Sequence, residues 1–524
     1  MTTMTIPEKC TVLVVGGGPG GSYAAAVLAR ENIDTVVLEA DKMPRYHIGE
    51  SMLPSFRHYL KFIDLHTKFD NAGFTIKHGA AFKMNPQNRE GLGRIVTDFR
   101  SPSEDNRAWN VVRSEGDEIM FRHAGEQGAK IFDGVKVNSF EFDTSEVDAN
   151  DESPHAALGR PTAATWTSKA GTTGTIKFDY VVDASGRAGI LSTRYMKNRS
   201  YSKALKNVAN WAYFSGAGVY GAGTNRAGVP LFEAFRDESG WAWFIPLHNG
   251  THSIGVVMNQ EIATKKKKAG TDGLTTQQFY DDALKQAPML LEILGPNAKQ
   301  VTAVNSGADF SYHAKSYAIP YARIVGDAGC FIDPFFSSGV HLATTGGLSA
   351  ATTICASIRG DATEAAASKW HSTKIRESYA RFLMVVLSAY QQMRNQEQPV
   401  LSDVGEDNFD RAFKFLKPVI QGTADATKAF TQEELSKTIH FLSTALQPAF
   451  NPGPEGSISN VEDKRAYENS SVSAEDIEAM QALTSHHIED TSGVGRFTAD
   501  VIDGFMPRME RGNLTLVKAE ALAM

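Results

Sequence analysis

The sequence predicts a mixed α/β (α+β) fold: a doubly wound parallel sheet, an antiparallel sheet intercalated in it, and a helical C-terminal region. First, residues 11–15 (TVLVV) form a buried β-run. A glycine-rich turn follows, then a helix-forming stretch at 20–30 (GGSYAAAVLAR) and a second apolar run at 35–38 (TVVL). Second, the β-runs at 178–183 (FDYVVD) and 322–327 (ARIVGD) each end in an acidic residue. Between them 208–214 (VANWAYF) and 241–246 (WAWFIP) are aromatic-rich and alternating, which suits an antiparallel sheet with one face on a pocket. Third, helical periodicity takes over after about residue 362, across 366–395 and 408–417.

The elements divide the chain into a core at 1–361 and a mostly helical region at 362–524. Within the core, nucleotide-binding segments are expected at about 8–125, 175–205 and 300–361, with the substrate-side sheet at about 206–299. Polar, turn-rich stretches at 144–174 and 263–273 read as surface loops, and Lys265 to Lys268 as a solvated turn. Residues 451–472 form a Pro/Gly/Ser-rich break. Ser473, three residues before Asp476, then opens a further helix.

Composition narrows the function. The 524 residues carry 53 Lys+Arg and 60 Asp+Glu, a net charge of −7, which argues against a nucleic-acid or polybasic membrane surface. Hydrophobic residues at 42% and charged residues at 22% describe an ordinary globular chain. Cys10, Cys330 and Cys355 form no CxxC pair, so neither a disulfide framework nor a cysteine-based zinc site is expected. His486 and His487 sit in a polar stretch without a supporting carboxylate arrangement, so no metal is expected there. The longest apolar run of the C-terminal half, 382–387, is too short to span a bilayer, and the start lacks a signal-type h-region. These features predict a cytoplasmic protein.

Gly16, Gly18 and Gly21 form GxGxxG between the first strand and helix. The first glycine permits the tight turn, the second lets backbone approach a pyrophosphate, and the third allows close helix packing. Free N–H groups at the helix start then face the phosphates. Glu39, at the next strand end, suits a ribose diol and disfavours a 2′-phosphate, so FAD or NAD fits better than NADP. Gly326-Asp327 is either a helix N-cap or an acid directed at a cofactor. Flavoprotein monooxygenases place an acid at this position to hold the flavin ribityl chain. With Asp183-Ala184-Ser185-Gly186 and Arg113 also similar to that pattern, the resemblance implies FAD.

More specific motifs follow. Residues 241–246 read WxWxIP, 331–339 (FIDPFFSSG) read FxxPxxSxG, and 73–82 (GFTIKHGAAF) carry Lys77. With GxGxxG these resemble the flavin-dependent halogenases over roughly residues 10–360. RYHIGESMLPS and GDAGCFIDPFFSSG look most like fungal halogenases of phenolic polyketides, the radicicol-type subgroup.

The resemblance implies a Rossmann-like FAD domain. Gly16, Gly18, Pro19, Gly20, Gly21, Glu39, Ser51, Arg113, Asp327 and Gly339 would contact the cofactor. It implies that FADH2 and oxygen form a C4a-hydroperoxide. Chloride or bromide, held by the N–H groups of Ser338 and Gly339, would then be oxidised to hypohalous acid.

Lys77 would present the halogen to the ring as an ammonium or a chloramine, with Lys83 as the nearby competitor. Trp241, Trp243 and Pro246 would partition flavin from substrate, and His78, Phe82 and Phe336 would line the substrate pocket. Tryptophan halogenases carry a glutamate where Phe336 stands. Its absence disfavours indoles and favours a phenol, which activates its own ring. No second dinucleotide motif is present, so a separate NAD(P)H-dependent flavin reductase is the expected, transient partner. A flavin hydroxylase and a non-catalytic flavin-binding paralogue are the alternatives.

Overall fold

The computed structural model describes residues 5–84, 94–100, 106–145, 155–268, 273–394, 396, 497 and 500–519. Its first sheet is built on the strand Lys9–Val15, which pairs in parallel with Thr35–Glu39 on one side and Thr173–Asp183 on the other. Lys130–Asp133 and Ala322–Ile324 extend the parallel array at either end. Such strands are buried on both faces, which is why they read as continuous apolar runs. The helix Pro19–Arg30 packs on this sheet and against the helix Gly339–Arg359. Close approach of the two helices depends on missing side chains. A Cβ at Gly20 would lie 2.7 Å from Val325 Cγ1 and 3.0 Å from Ala343 O, and one at Gly347 would lie 2.7 Å from Gly20 O.

The second sheet is largely antiparallel. Arg199–Ser215, Leu231–Ala234, Gly240–Pro246, Thr251–Asn259 and Asn305–Ala314 form its centre, and Gly79–Lys83 joins Leu231–Ala234 in parallel. Both aromatic stretches at 208–214 and 241–246 lie on its strands, as expected. Strand membership cuts across the expected segments, however. Gly79–Lys83, Arg94–Asp98 and Asn305–Ala314 belong to this sheet although they fall within 8–125 and 300–361.

Two loop expectations are corrected. Much of 144–174 is strand: Arg160–Ser168 pairs antiparallel with both Val135–Asp143 and Thr173–Asp183. This meander carries polar residues on its solvent side, so the apolar alternation that marks a strand is diluted. Most of 263–268 is helix. Gln260–Lys267 starts at Asn259, whose side chain caps Glu261 and Ile262 N–H, and its lysines occupy the last turn, where positive charge favours a helix end.

The helix expected at 366–395 is Glu364–Arg394. It packs its central part into the core beneath the second sheet, with Tyr379, Phe382, Leu383, Val386 and Met393 buried there. The described C-terminal end departs from the helical expectation: Phe505–Arg508 and Thr515–Lys518 form a hairpin. Leu514 and Leu516 enter the core around the first helix, and Glu31 accepts Gly512 N–H at 2.8 Å and Leu514 N–H at 3.1 Å. The expected helix at 408–417, the break at 451–472, Ser473 and His486-His487 lie outside the described residues. No described helix is long and apolar enough to cross a membrane.

Candidate functional site

The glycine turn has the geometry its spacing predicts. Gly16 sits at φ +105°, where a Cβ would lie 2.2 Å from Ala184 O, and a Cβ at Gly21 would lie 2.0 Å from Gly16 O. At Gly18 a Cβ would meet only an Arg45 guanidinium nitrogen, at 3.3 Å, so that side of the turn is open. Pro19 starts the helix at a position whose N–H would be unpaired anyway. Gly20 instead faces the neighbouring helix. Glu39 closes the turn from the adjacent strand, accepting Gly17 N–H at 2.6 Å and Asp41 N–H at 2.8 Å.

Arg113 begins the helix Arg113–Glu126 and organises the segment 45–50. It donates to Ile48 O at 3.0 Å and Gly49 O at 3.2 Å, and forks onto Asp117 at 2.8 and 2.9 Å. Burial opposes ionisation of Asp117, yet the Arg113 guanidinium holds its carboxyl below the usual range. The same positive charge, aided by burial, lowers His47 to about 4, so its ring stays neutral. Asp327 lies in the turn Gly326–Ala328, and its carboxylate accepts no hydrogen bond among the described residues. Burial raises its pKa against the opposing charges of Arg187, Arg113 and Arg199. An open carboxylate beside cations, together with the open face at Gly18, fits the hydroxyls and phosphates of FAD.

The loop before the helix Gly339–Arg359 is set by Asp333, which caps the short turn Pro334–Phe336 through Phe335 N–H at 3.1 Å. Ser337 follows at φ +58°, a left-handed conformation costly for serine. Ser338 is fully buried and its hydroxyl has no hydrogen-bond partner among the described residues. A Cβ at Gly339 would meet nothing within 4 Å. The start of the 21-residue helix Gly339–Arg359, with its unpaired N–H groups, therefore has open space beside Gly339 and a hydroxyl without a partner among the described residues at Ser338.

Lys77 ends the strand Thr75–Lys77, paired with Ala108–Asn110, and is only 1% exposed. Its Nζ donates to Ser51 Oγ at 2.7 Å and to Met52 O at 2.8 Å, and lies 5.2 Å from the centre of the Phe99 ring. Desolvation lowers its pKa to about 7. Ser337 Oγ donates to Ser51 Oγ at 3.1 Å, so a hydroxyl pair joins Lys77 to the loop 333–338. Lys83 has a different fate. Its Nζ is 3.3 Å from Glu233 Oε1, and Glu233 also accepts Met289 and Leu290 N–H at 3.2 and 2.7 Å. The family resemblance pointed to Lys77, with Lys83 as the nearby competitor, and the structure gives Lys83 to a buried ion pair.

Aromatic rings pack into a continuous wall beside the loop 333–338. Trp241 and Trp243 lie 5.8 Å apart, and Phe335 meets Trp241 edge-on at 5.1 Å. Phe82 stacks on Phe232 at 5.1 Å and touches Phe335 and Phe336, each at 5.3 Å. His78, half-buried, accepts Phe99 N–H on its carbonyl at 2.8 Å.

Several positioning residues were not visible in the sequence. Asn110, fully buried, bridges to Ser51 through its backbone and donates its side chain to Pro246 O at 3.1 Å. Tyr390 accepts Trp241 Nε1–H at 2.8 Å and donates to Asp333 at 2.6 Å. Glu50, buried, accepts Tyr213 O–H at 2.6 Å. Desolvation raises its pKa against that hydrogen bond. Glu50 and Asp333 stand inside the quoted stretches RYHIGESMLPS and FIDPFFSSG, whereas Asn110 and Tyr390 stand in neither.

The family model for tryptophan halogenase matches residues 11–96 and 164–435. The chain is 55% identical to flavin-dependent halogenase ascD of Acremonium egyptiacum, over 99% of this chain and 94% of that one. It is 49% identical to sulochrin halogenase gedL of Aspergillus terreus, over 99% and 95%. Among solved structures, the myxobacterial chondrochloren halogenase CndH aligns with TM-score 0.63 and 26% identity, over 82% of this chain and 99% of that one. Halogenase PltM in complex with phloroglucinol and FAD shares the fold, with TM-score 0.61 and 16% identity over 90% and 96%.

Proposed function

The chain belongs to the tryptophan halogenase family and is a flavin-dependent halogenase; from that premise we propose that it chlorinates an electron-rich phenolic ring, a fungal polyketide or a related secondary metabolite. Bound and reduced, FAD supplies, with oxygen, the oxidising power that converts chloride to hypochlorous acid. Every other step belongs to residues of this chain.

Ser338 and the N–H groups at Gly339 hold chloride by hydrogen bonding and helix dipole. The wall of Trp241, Trp243 and Phe335 keeps an arene from the flavin side, so the diffusible acid crosses and the ring does not. Lys77 then takes the chlorine. Its amine forms an N–Cl bond as the O–Cl bond of hypochlorous acid breaks, and the displaced hydroxide leaves as water with a proton from nitrogen. The ring next forms C–Cl as N–Cl breaks and loses its proton, which restores the amine. A phenol oxygen supports the positive charge on the ring, in keeping with the apolar Phe336 buried against Phe82.

The observation that carries this reading is a desolvated amine at Lys77, linked through hydroxyls to the loop that would hold the halide. Reduced FAD, oxygen, chloride and a resorcinol-type polyketide should give a product with one chlorine in place of hydrogen. A product gaining oxygen without chlorine would make the enzyme a hydroxylase. We assign reduction of FAD to a separate NAD(P)H-dependent reductase that binds transiently.

A further inference from the structure

Ser51 lies in the segment that follows Glu50, in direct hydrogen bond with Lys77. It is 8% exposed, and its backbone is fixed by a bridge to Asn110. Ser51 Oγ accepts from Lys77 Nζ at 2.7 Å and from Ser337 Oγ at 3.1 Å, so one oxygen joins the amine to the residue that precedes Ser338-Gly339. Ser337 is not there by default, because its backbone is held in the left-handed region, where serine is disfavoured. The second acceptor on Lys77 is the carbonyl of Met52, at 2.8 Å, from the same segment. A neutral amine has two hydrogens and one lone pair. Here the two hydrogens have two acceptors, 2.7 and 2.8 Å away, and no other protein acceptor is present among the described residues. The remaining valence is the lone pair that must meet the chlorine.

We propose that Ser51 is the positioning residue for Lys77: its hydroxyl, shared with Ser337, fixes the direction of the amine and registers it to the halide loop. This rests on the halogenase reading with Lys77 as the chlorine carrier. Without the Ser51 hydroxyl the amine keeps one acceptor, rotates about its terminal bond and points its lone pair over a cone. Hypochlorous acid is then captured less often and escapes. The expected signature is therefore a change in where the chlorine goes, at a given supply of oxidant.

The test compares wild type, Ser51→Ala, Ser51→Thr and Ser337→Ala at saturating reduced FAD and chloride. Chlorinated phenol is measured beside hypochlorous acid that has escaped, trapped with monochlorodimedone. The ratio of the two cancels differences in flavin occupancy. Ser51→Ala should lower it roughly tenfold, the scale of one hydrogen bond to a reacting group. Ser51→Thr, which keeps the hydroxyl, should restore most of it. Ser337→Ala should lower it less, and it carries the test if Ser51→Ala does not fold. A second readout needs no flavin: the protein is treated with limiting hypochlorous acid and the chlorine isotope pattern is read on the Lys77 peptide. Chlorination at Lys77 should fall in Ser51→Ala and recover in Ser51→Thr. A ratio within about twofold of wild type in Ser51→Ala, with equal labelling of Lys77, would overturn the assignment. A wild-type enzyme yielding neither product nor escaped acid would instead overturn the halogenase reading on which it rests.

Discussion

The indole N–H of Trp241 donates to the hydroxyl of Tyr390 at 2.8 Å, which anchors the aromatic wall to the long helix Glu364–Arg394. Tyr390 donates its own O–H to Asp333 at 2.6 Å, and Asn207 Nδ2 donates to both. The wall, the loop capped by Asp333 and the helix Glu364–Arg394 therefore share one buried polar junction. Tyr390→Phe leaves Trp241 and Asp333 each short of a partner in a dry site. It should cost about 1–3 kcal/mol of stability, read by chemical denaturation. Retained stability would show that the junction is solvated.

Lys77→Ala should keep FAD binding and oxygen consumption while losing aryl chlorination, which places the defect in the transition state. Lys77→Met keeps much of the stem and should be equally inactive, separating chemistry from packing. Product mass spectrometry beside flavin titration reads both. Chlorination surviving in the two variants would remove Lys77 from the mechanism.

The same lysine predicts a pH profile. Burial lowers its pKa from 10.5 to about 7, so the amine needed for attack appears as pH rises through 7. Single-turnover chlorination should therefore climb across that range, whereas an ammonium role requires the opposite slope. Stability moves with it: between about 7 and 10.5 the unfolded chain binds the proton that the folded chain has released, so this group makes folding more favourable as pH rises.

Lys83→Met should fail differently. It strips one partner from a buried ion pair and leaves the Glu233 carboxylate with only the N–H groups of Met289 and Leu290. A loss of about 3 kcal/mol in stability is expected, with chlorination per folded molecule retained. Thermal denaturation and active-site titration together decide it.

The glycines separate fold from chemistry. Gly16→Ala drives a Cβ against Ala184 O and should prevent folding of the nucleotide turn. Gly339→Ala enters open space, so the melting temperature should hold while the chloride concentration at half-maximal rate rises. An unchanged chloride dependence would move the halide elsewhere.

Sequence patterns revealed what depends on local spacing. GxGxxG gave the turn because Gly16 and Gly21 each answer a backbone clash there while Gly18 leaves its side open, and the apolar runs gave the parallel strands because both faces are buried. Lys77 and Ser338-Gly339 were legible only through motif resemblance. Spacing alone did not distinguish Lys77 from Lys83, since the difference lies in Glu233, 150 residues away from Lys83 along the chain. Asn110 and Tyr390 escaped for the same reason. Each acts through partners brought together only by folding, and no local pattern requires an asparagine or tyrosine at those places; Ser337 is the serine of FxxPxxSxG, but its hydrogen bond to Ser51 is likewise visible only in the fold. The strands within 144–174 were missed because their exposed polar face resembles a loop.

The attachment of residues 512–516 to the first helix has a consequence for how this protein is made. Glu31 finds its N–H partners at Gly512 and Leu514, and Leu514 and Leu516 complete the buried cluster that the helices Pro19–Arg30 and Gly339–Arg359 share. The helix Pro19–Arg30 is synthesised well ahead of Leu514 and Leu516, so part of the core it belongs to arrives nearly 500 residues later along the chain. During translation that surface stays uncovered until the hairpin emerges from the ribosome, a long interval for chaperones to guard. Nascent chains stalled before residue 512 should therefore remain protease-sensitive around the first helix, and fusions placed close behind the hairpin should lower soluble yield far more than fusions at the start.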